Sequence, residues 1–472
     1  MKKILALFFP FFIFSIHTAA QTNIDRSIKK LLEDSLFNTA VAAVNVYDLN
    51  TQSSLFQKNT TLLLRPASNM KVLTTVAGLL FLGPDYCFKT SLYHTGKINH
   101  SVLKGDLYIC GGGDPDFTTS DLDTLIQQLK QFGIKEIRGN IIADLSFTDS
   151  LFWGKGWMWD DDPSTDAPYL SALNINKNSF IIIAEPGKVN SKAKIKTIPK
   201  SNFFKIKNYS LTVAKKDTIE LEFQRDWIKR SNNITVSGHI PSVSSHQTSE
   251  MNVYNPALYF LTLFKEKLHE NKIRFKGRIK FSLLPALARE IYSMNRPFVN
   301  VIMGLNKNSD NLSAEMTLKA MAVKFFGKPA RAENGIKMID SLITLSGLDY
   351  RNYRIVDGSG VSHYNLLNAD LLLSVLKFIY NNRPDLFNIL YNSFPVAGVD
   401  GTLRERMKDS PAFSNVHAKT GTISGVSCLS GYVTAKNKHL LAFSIMIQNY
   451  LGSSSRATKI QNEICRVLAE YE

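Results

Sequence analysis

Apolar and polar positions alternate over Val41–Asn50 (VAAVNVYDLN) and end in a turn signal, a pattern that predicts a strand near the start of the chain. Past Ser68 the period changes. Met70, Val72, Leu73, Val76, Ala77, Leu79 and Leu80 mark a buried helix, and Gly83-Pro84 stops it. The stretch from Val72 to Asn308 then holds short β-like runs at Val102–Ile109, Glu136–Ala143, Phe180–Ile183, Leu211–Ala214 and Ile219–Phe223. Turns rich in Gly, Asn and Ser separate many of them, so this region reads as one or two inserted β-rich domains. Pro256–Asn271 is amphipathic, with Leu258, Phe260, Leu261, Phe264 and Leu268 toward one side, and predicts a helix that closes the insertion.

Helical texture dominates after Ser309. Helices are expected at Leu312–Phe326, Gly335–Ser346 and Ala369–Asn381, strands at Val416–Thr420, Leu429–Thr434 and Leu440–Ile447, and a terminal helix from Ser455 to Tyr471. Strands from both chain ends beside gathered helices suggest an α/β sandwich split by the insertion.

Composition sharpens this. At 472 residues the chain is too long for one ordinary core. Lys2 and Lys3 precede the apolar stretch Ile4–Ile16, and Thr18-Ala19-Ala20 offers small residues before Gln21. That is a secretory signal pattern, shorter than the roughly 18–20 apolar residues that span a bilayer. An exported protein of the periplasm or cell envelope is expected. Four cysteines (Cys87, Cys110, Cys428, Cys465) make no disulfide framework, although one or two bridges would be possible after export. Neither C-x-x-C nor H-E-x-x-H occurs, so no metal and no other cofactor is expected. Net charge is +16, of which the signal supplies two, with lysines dense at 188–200 and 205–216. Such a face is ordinarily solvated; its functional reading is attraction to a cell wall or to membrane headgroups. No nucleic-acid motif accompanies it.

Three motifs carry the chemistry: Ser68-Asn69-Met70-Lys71, Ser309-Asp310-Asn311 and Lys419-Thr420-Gly421. Each alone is an ordinary helix start, N-cap cluster or strand end. S-x-x-K spacing recurs at Ser27/Lys30 and Ser374/Lys377, among others, while K-T-G occurs once. Their order and joint roles matter more. Ser68 and Lys71 share one helix face, so an amine sits beside a nucleophile, provided that desolvation and a nearby cation lower its pKa. Lys419 is the candidate cation. Ser309 can relay a proton to a leaving amine, and Asn311 can hold Lys71 or a substrate carbonyl. Lys419 and Gly421 share a strand face; Lys419, with the Thr420 hydroxyl, can bind a terminal carboxylate, and Gly421 leaves room for a peptide. The N–H groups of Thr422 and Ser68 would form an oxyanion hole. His417 lies on the Lys419 face, with packing or a rim contact as its expected role.

The set resembles the class C low-molecular-mass penicillin-binding proteins, the D-alanyl-D-alanine carboxypeptidase/endopeptidase family. Gly156-Trp157-Met158-Trp159-Asp160-Asp161, Asp357-Gly358-Ser359-Gly360 and Gly398-Val399-Asp400-Gly401-Thr402-Leu403 resemble further signatures of that family. The resemblance implies a serine β-lactamase/transpeptidase-like α/β sandwich interrupted by two nested domains. The expected division is a signal peptide (1–20), a catalytic domain (21–95 and 286–472), an inserted domain (96–180 and 245–285) and a nested β-rich domain (181–244). It also implies Ser68 as acyl-ester nucleophile, Lys71 as base, Ser309 as relay and Lys419 as carboxylate ligand. Trp159 and Asp161 would line the pocket for the peptide side chain; a tryptophan packed within the inserted domain is the other reading. The implied partners are peptidoglycan stem peptides, with β-lactams as inhibitors.

A serine β-lactamase shares the three motifs, but no E-x-x-x-N follows Ser309 and the insertion is too large. A lipase-type esterase lacks support, since no G-x-S-x-G occurs. A wall-binding protein without turnover remains the non-enzymatic alternative.

Overall fold

A computed structural model describes residues 23–215 and 218–472, so the expected signal peptide lies outside the described residues. The chain forms two compact units. The first runs up to Pro84 and includes Ile302–Asp310 and Gly335–Glu472; the second comprises Asp85–Val301 and Asn311–Asn334.

The first unit is an α/β sandwich. Its five-stranded antiparallel sheet runs in the order His417–Ile423, Val426–Thr434, Leu440–Gln448, Val41–Asp48, Ser53–Lys58. The expectation that both chain ends share one sheet holds. Period two sorts the side chains. Val44, Val46, Leu429, Val433, Phe443 and Ile445 join Ile24, Ile28, Ile460, Ile464 and Leu468 in one apolar core. The alternate residues face the helices Met70–Phe81 and Ala369–Asn382, where Tyr432 Oη donates to Leu376 O at 2.9 Å. Covered on both faces, Val426–Thr434 is buried along nearly its whole length, its Ser427 and Ser430 included.

The second unit is more helical than its sequence suggests. Helix Thr119–Gln131 packs with Pro256–Glu270 in a core that includes Leu122, Leu125, Ile126, Leu129, Phe260 and Phe264. A capping box between Thr118 and Asp121 starts the first of these. The run Glu136–Ala143, expected as one strand, divides into Glu136–Ile137 and Ile141–Asp144, which belong to different sheets. The break is fixed by Asp106, whose Oδ1 accepts from the backbone and side-chain nitrogens of Asn140 at 2.6 and 3.0 Å. Two three-stranded sheets follow within residues 179–252, and the strand expected at Ile219–Phe223 forms at Glu222–Arg225. Buried Arg225 pairs with Asp162, which also accepts from Tyr169 Oη at 2.7 Å. All four cysteines are free thiols. Among the described residues no helix is long and apolar enough to cross a membrane.

Candidate active site

Ser68 stands in a 3-10 turn, Ala67–Asn69, that leads directly into the helix Met70–Phe81. The turn is locked to the sheet by Asn69, whose Nδ2 donates to Ser430 Oγ at 2.8 Å in the buried interior. Lys71, one turn on, is fully buried. Its Nζ donates to Ser68 Oγ at 2.8 Å and to the carbonyl of Ser359 at 2.7 Å. An amine at that distance is within reach of the serine's proton.

The Ser359 carbonyl is aimed by the Asp357–Gly360 turn. Buried Asp357 accepts from Gly360 N, Ser362 N and Asn365 Nδ2 at 2.7–2.8 Å. Gly358 O takes the Thr74 hydroxyl at 2.6 Å, so the turn is fastened to the same helix that carries Lys71. Gly360 has φ +86°, and a Cβ there would meet Ala67 O at 1.9 Å. The D-G-S-G pattern was the sequence signal for this support; that its carbonyl holds the amine is visible only in three dimensions.

Lys419 approaches from the edge strand of the sheet. It is wholly buried, and its Nζ donates to Ser309 Oγ at 2.9 Å and to Thr420 O at 2.8 Å. Burial, and after it the charge of Lys71, holds the Lys419 amine well below the usual lysine range. Ser309 adopts a left-handed φ of 59° just past the helix Phe298–Lys307. Lys419 and Gly421 do share a face: a Cβ on Gly421 would lie 2.8 Å from Asn69 N and 3.0 Å from Ser68 N. His417 stacks on Tyr391 with ring centroids 3.9 Å apart, a packing role, and burial lowers its pKa.

Three other expected site residues belong to the second unit. Asn311 opens the helix Asn311–Phe326, and its Nδ2 donates to Asp166 O at 2.5 Å. Trp159 is 72% exposed, and one face of its ring meets Trp227 at 4.9 Å. Asp161 accepts from Met158 N at 2.7 Å, capping its own short turn. The structure thus forms two hydrogen-bonded pairs within the first unit, Lys71 with Ser68 and Lys419 with Ser309, close enough for the charge of Lys71 to act on Lys419. Two serine hydroxyls are each held by a buried amine, an arrangement suited to attack on a carbonyl by one and proton delivery by the other.

Residues 24–471 match the D-Ala-D-Ala carboxypeptidase 3 (S13) family. The D-alanyl-D-alanine carboxypeptidase DacB of Haemophilus influenzae is 30% identical over 442 residues, covering 93% of this chain and 90% of that protein. The crystal structure of penicillin binding protein 4 (dacB) from Haemophilus influenzae has a TM-score of 0.83 at 26% identity, covering 94% of this chain and 99% of that one. The same protein complexed with a novel β-lactam gives 0.76 at 26% identity, covering 93% and 97%.

Proposed function

The chain belongs to the D-Ala-D-Ala carboxypeptidase 3 (S13) family, and from that premise we propose that it is a serine DD-peptidase acting on the D-Ala-linked peptides of peptidoglycan. Carboxypeptidase and endopeptidase action share one chemistry here, because both cleave beside a free carboxylate. Ser68 Oγ attacks the carbonyl carbon on the acyl side of the scissile bond while Lys71 takes its proton. The tetrahedral oxyanion is received by the N–H groups of Ser68 and Thr422. Ser309 passes a proton to the leaving amine, the C–N bond breaks, and an ester on Ser68 remains for water to hydrolyse. Lys419 supplies positive charge for the substrate carboxylate, assisted by the Thr420 hydroxyl. Trp159 and Asp161 are assigned to the pocket for the peptide side chain, where Asp161 would meet an ammonium group.

The observation that carries this reading is the 2.8 Å contact between Lys71 Nζ and Ser68 Oγ, made in a buried setting beside a second amine. A β-lactam offers the same carbonyl in a strained ring whose leaving nitrogen stays tethered, so its ester should persist. The relative complexed with a β-lactam supports that partner. We place the enzyme in the periplasm or cell envelope, where its substrate lies. We divide its sequence into a catalytic domain and an insertion bearing the nested 181–244 segment.

The test is covalent labelling. A fluorescent penicillin should acylate the wild-type protein stoichiometrically and leave Ser68→Ala unlabelled; label on Ser68→Ala would sink the assignment. Mass spectrometry of peptidoglycan fragments then separates release of terminal D-Ala from opening of cross-links.

A further inference from the structure

The strand His417–Ile423 is outermost in its sheet, and the start of its outer edge is already occupied. Ala397 N donates to Val416 O at 3.0 Å, Ala418 N donates to Pro395 O at 3.1 Å, and Val396 bridges to His417. The cover runs from Pro395 beside Ala418 to Ala397 beside Val416, and the chain then turns through residues 398–403. The turn is bolted down. Asp400 accepts from Lys307 Nζ at 2.7 Å with one carboxylate oxygen and from Val396 N at 2.8 Å with the other. Gly401 sits so close that a Cβ would meet Lys307 O at 2.5 Å. Lys307 is two residues before Ser309, so the loop is tied to the segment that carries the proposed relay. The result is an exposed Thr402 whose Oγ1 lies 2.7 Å from Thr420 Oγ1.

Two hydroxyls side by side, at the point where the covered edge gives way, can each turn to donate to one oxygen of a carboxylate. Lys419 Nζ is buried behind them and already engaged by Ser309 Oγ and Thr420 O. Its charge attracts an anion to this place while the outward donors belong to threonines. We propose that Thr402 is a specificity-determining residue: with Thr420 it receives the carboxylate next to the scissile bond, and its loop closes that end of the peptide groove. This rests on the Ser68 acyl-enzyme reading.

The experiment uses the full-length protein with an N-acylated peptide ending in D-Ala-D-Ala and the C-terminal amide of the same peptide. Thr402→Val should lower kcat/KM for the free acid by about ten- to a hundredfold, mainly through KM, as expected for loss of a hydrogen bond to a charged group. The amide should change less than about twofold in the same comparison, because it has no carboxylate to lose. Thr402→Ser should restore the discrimination, which a merely structural contact of the threonine methyl would not. Equal losses on both peptides, no loss, or no rescue by serine would each overturn the proposal. Stoichiometric penicillin labelling of the wild type at saturation is read alongside. If it is absent, the acyl-enzyme reading falls; if it is present with unaltered discrimination in Thr402→Val, only the role of Thr402 falls.

Discussion

Two lysine amines share one dry site, and that sets the chemistry available to Ser68. Burial disfavours the charged form of Lys419, and the charge of Lys71 adds to the effect. The sign for stability follows. The unfolded chain holds the Lys419 proton more readily than the folded one, so this amine's contribution is greatest above its ordinary 10.5 and declines as pH falls. With two amines so close, a charge on one favours the neutral form of the other. Acylation by a penicillin should therefore rise with pH through an apparent pKa below about 10.4, one that belongs to the amine pair rather than to either residue. Lys71→Arg should abolish most of that acylation while thermal unfolding stays cooperative, since a guanidinium does not give up its proton. Near-normal acylation by the variant would remove Lys71 from the base role. All four residues of the group were legible from three short motifs. The carbonyl of Ser359, which holds Lys71, was not, because a backbone oxygen has no residue type to betray it.

At the scale of elements, the site depends on how closely the strand His417–Ile423 can approach the turn that presents Ser68. Gly421 permits that approach, with backbone atoms of Pro66 and Asn69 only 2.8 Å from where a Cβ would stand. Gly421→Ala should push strand and turn apart and slow penicillin acylation by about ten- to a hundredfold, in line with the cost of small misplacements in a reacting geometry. Stopped-flow labelling measures it, and circular dichroism should show the fold retained. An unchanged rate would mean the gap has slack. Elements with strong periodicity were legible: Met70–Phe81, Pro256–Glu270 and Leu440–Gln448 lie within a residue or two of expectation. Helix Thr119–Gln131 departs from the β-rich expectation for the insertion, although Leu122, Leu125, Ile126 and Leu129 have helical spacing. Its polar face and short length dilute that signal among neighbouring β-like runs.

At the scale of the molecule, the insertion is a compact unit with polar clusters of its own. In one of them Arg296 reaches Asp114 at 3.4 Å and Asp121 at 2.7 Å. Burial raises the Asp114 carboxyl to about 6, against the pull of Asp116 N and Arg296. A carboxyl raised in the folded state favours folding at low pH and loses that contribution as pH rises through the folded value. From pH 4 to 7 the wild type should lose on the order of 2–3 kcal/mol from this group. Asp114→Asn keeps an acceptor for Asp116 N without the charge. Its urea midpoint should gain on the wild type across that window, and parallel pH profiles would refute the assignment.

What the sequence determined by itself is the chemistry and the outline of the fold. Nucleophile, amine and relay are fixed by residue type and short spacing, and the core sheet by an alternation that survives in any context. Tertiary structure decided what spacing cannot encode. It set Lys419 against Ser309 across 110 positions of chain. It aimed Ser359 O at Lys71 through a turn nearly three hundred residues downstream, with Lys71 and Ser359 separated by 288 positions. It laid Thr402 beside Thr420 through the tether between Lys307 and Asp400. Local pattern reports which face of an element is buried. Which distant hydroxyl or carbonyl meets that face depends on closing long loops around a shared core, and the entropy of that closure is repaid only by the folded whole.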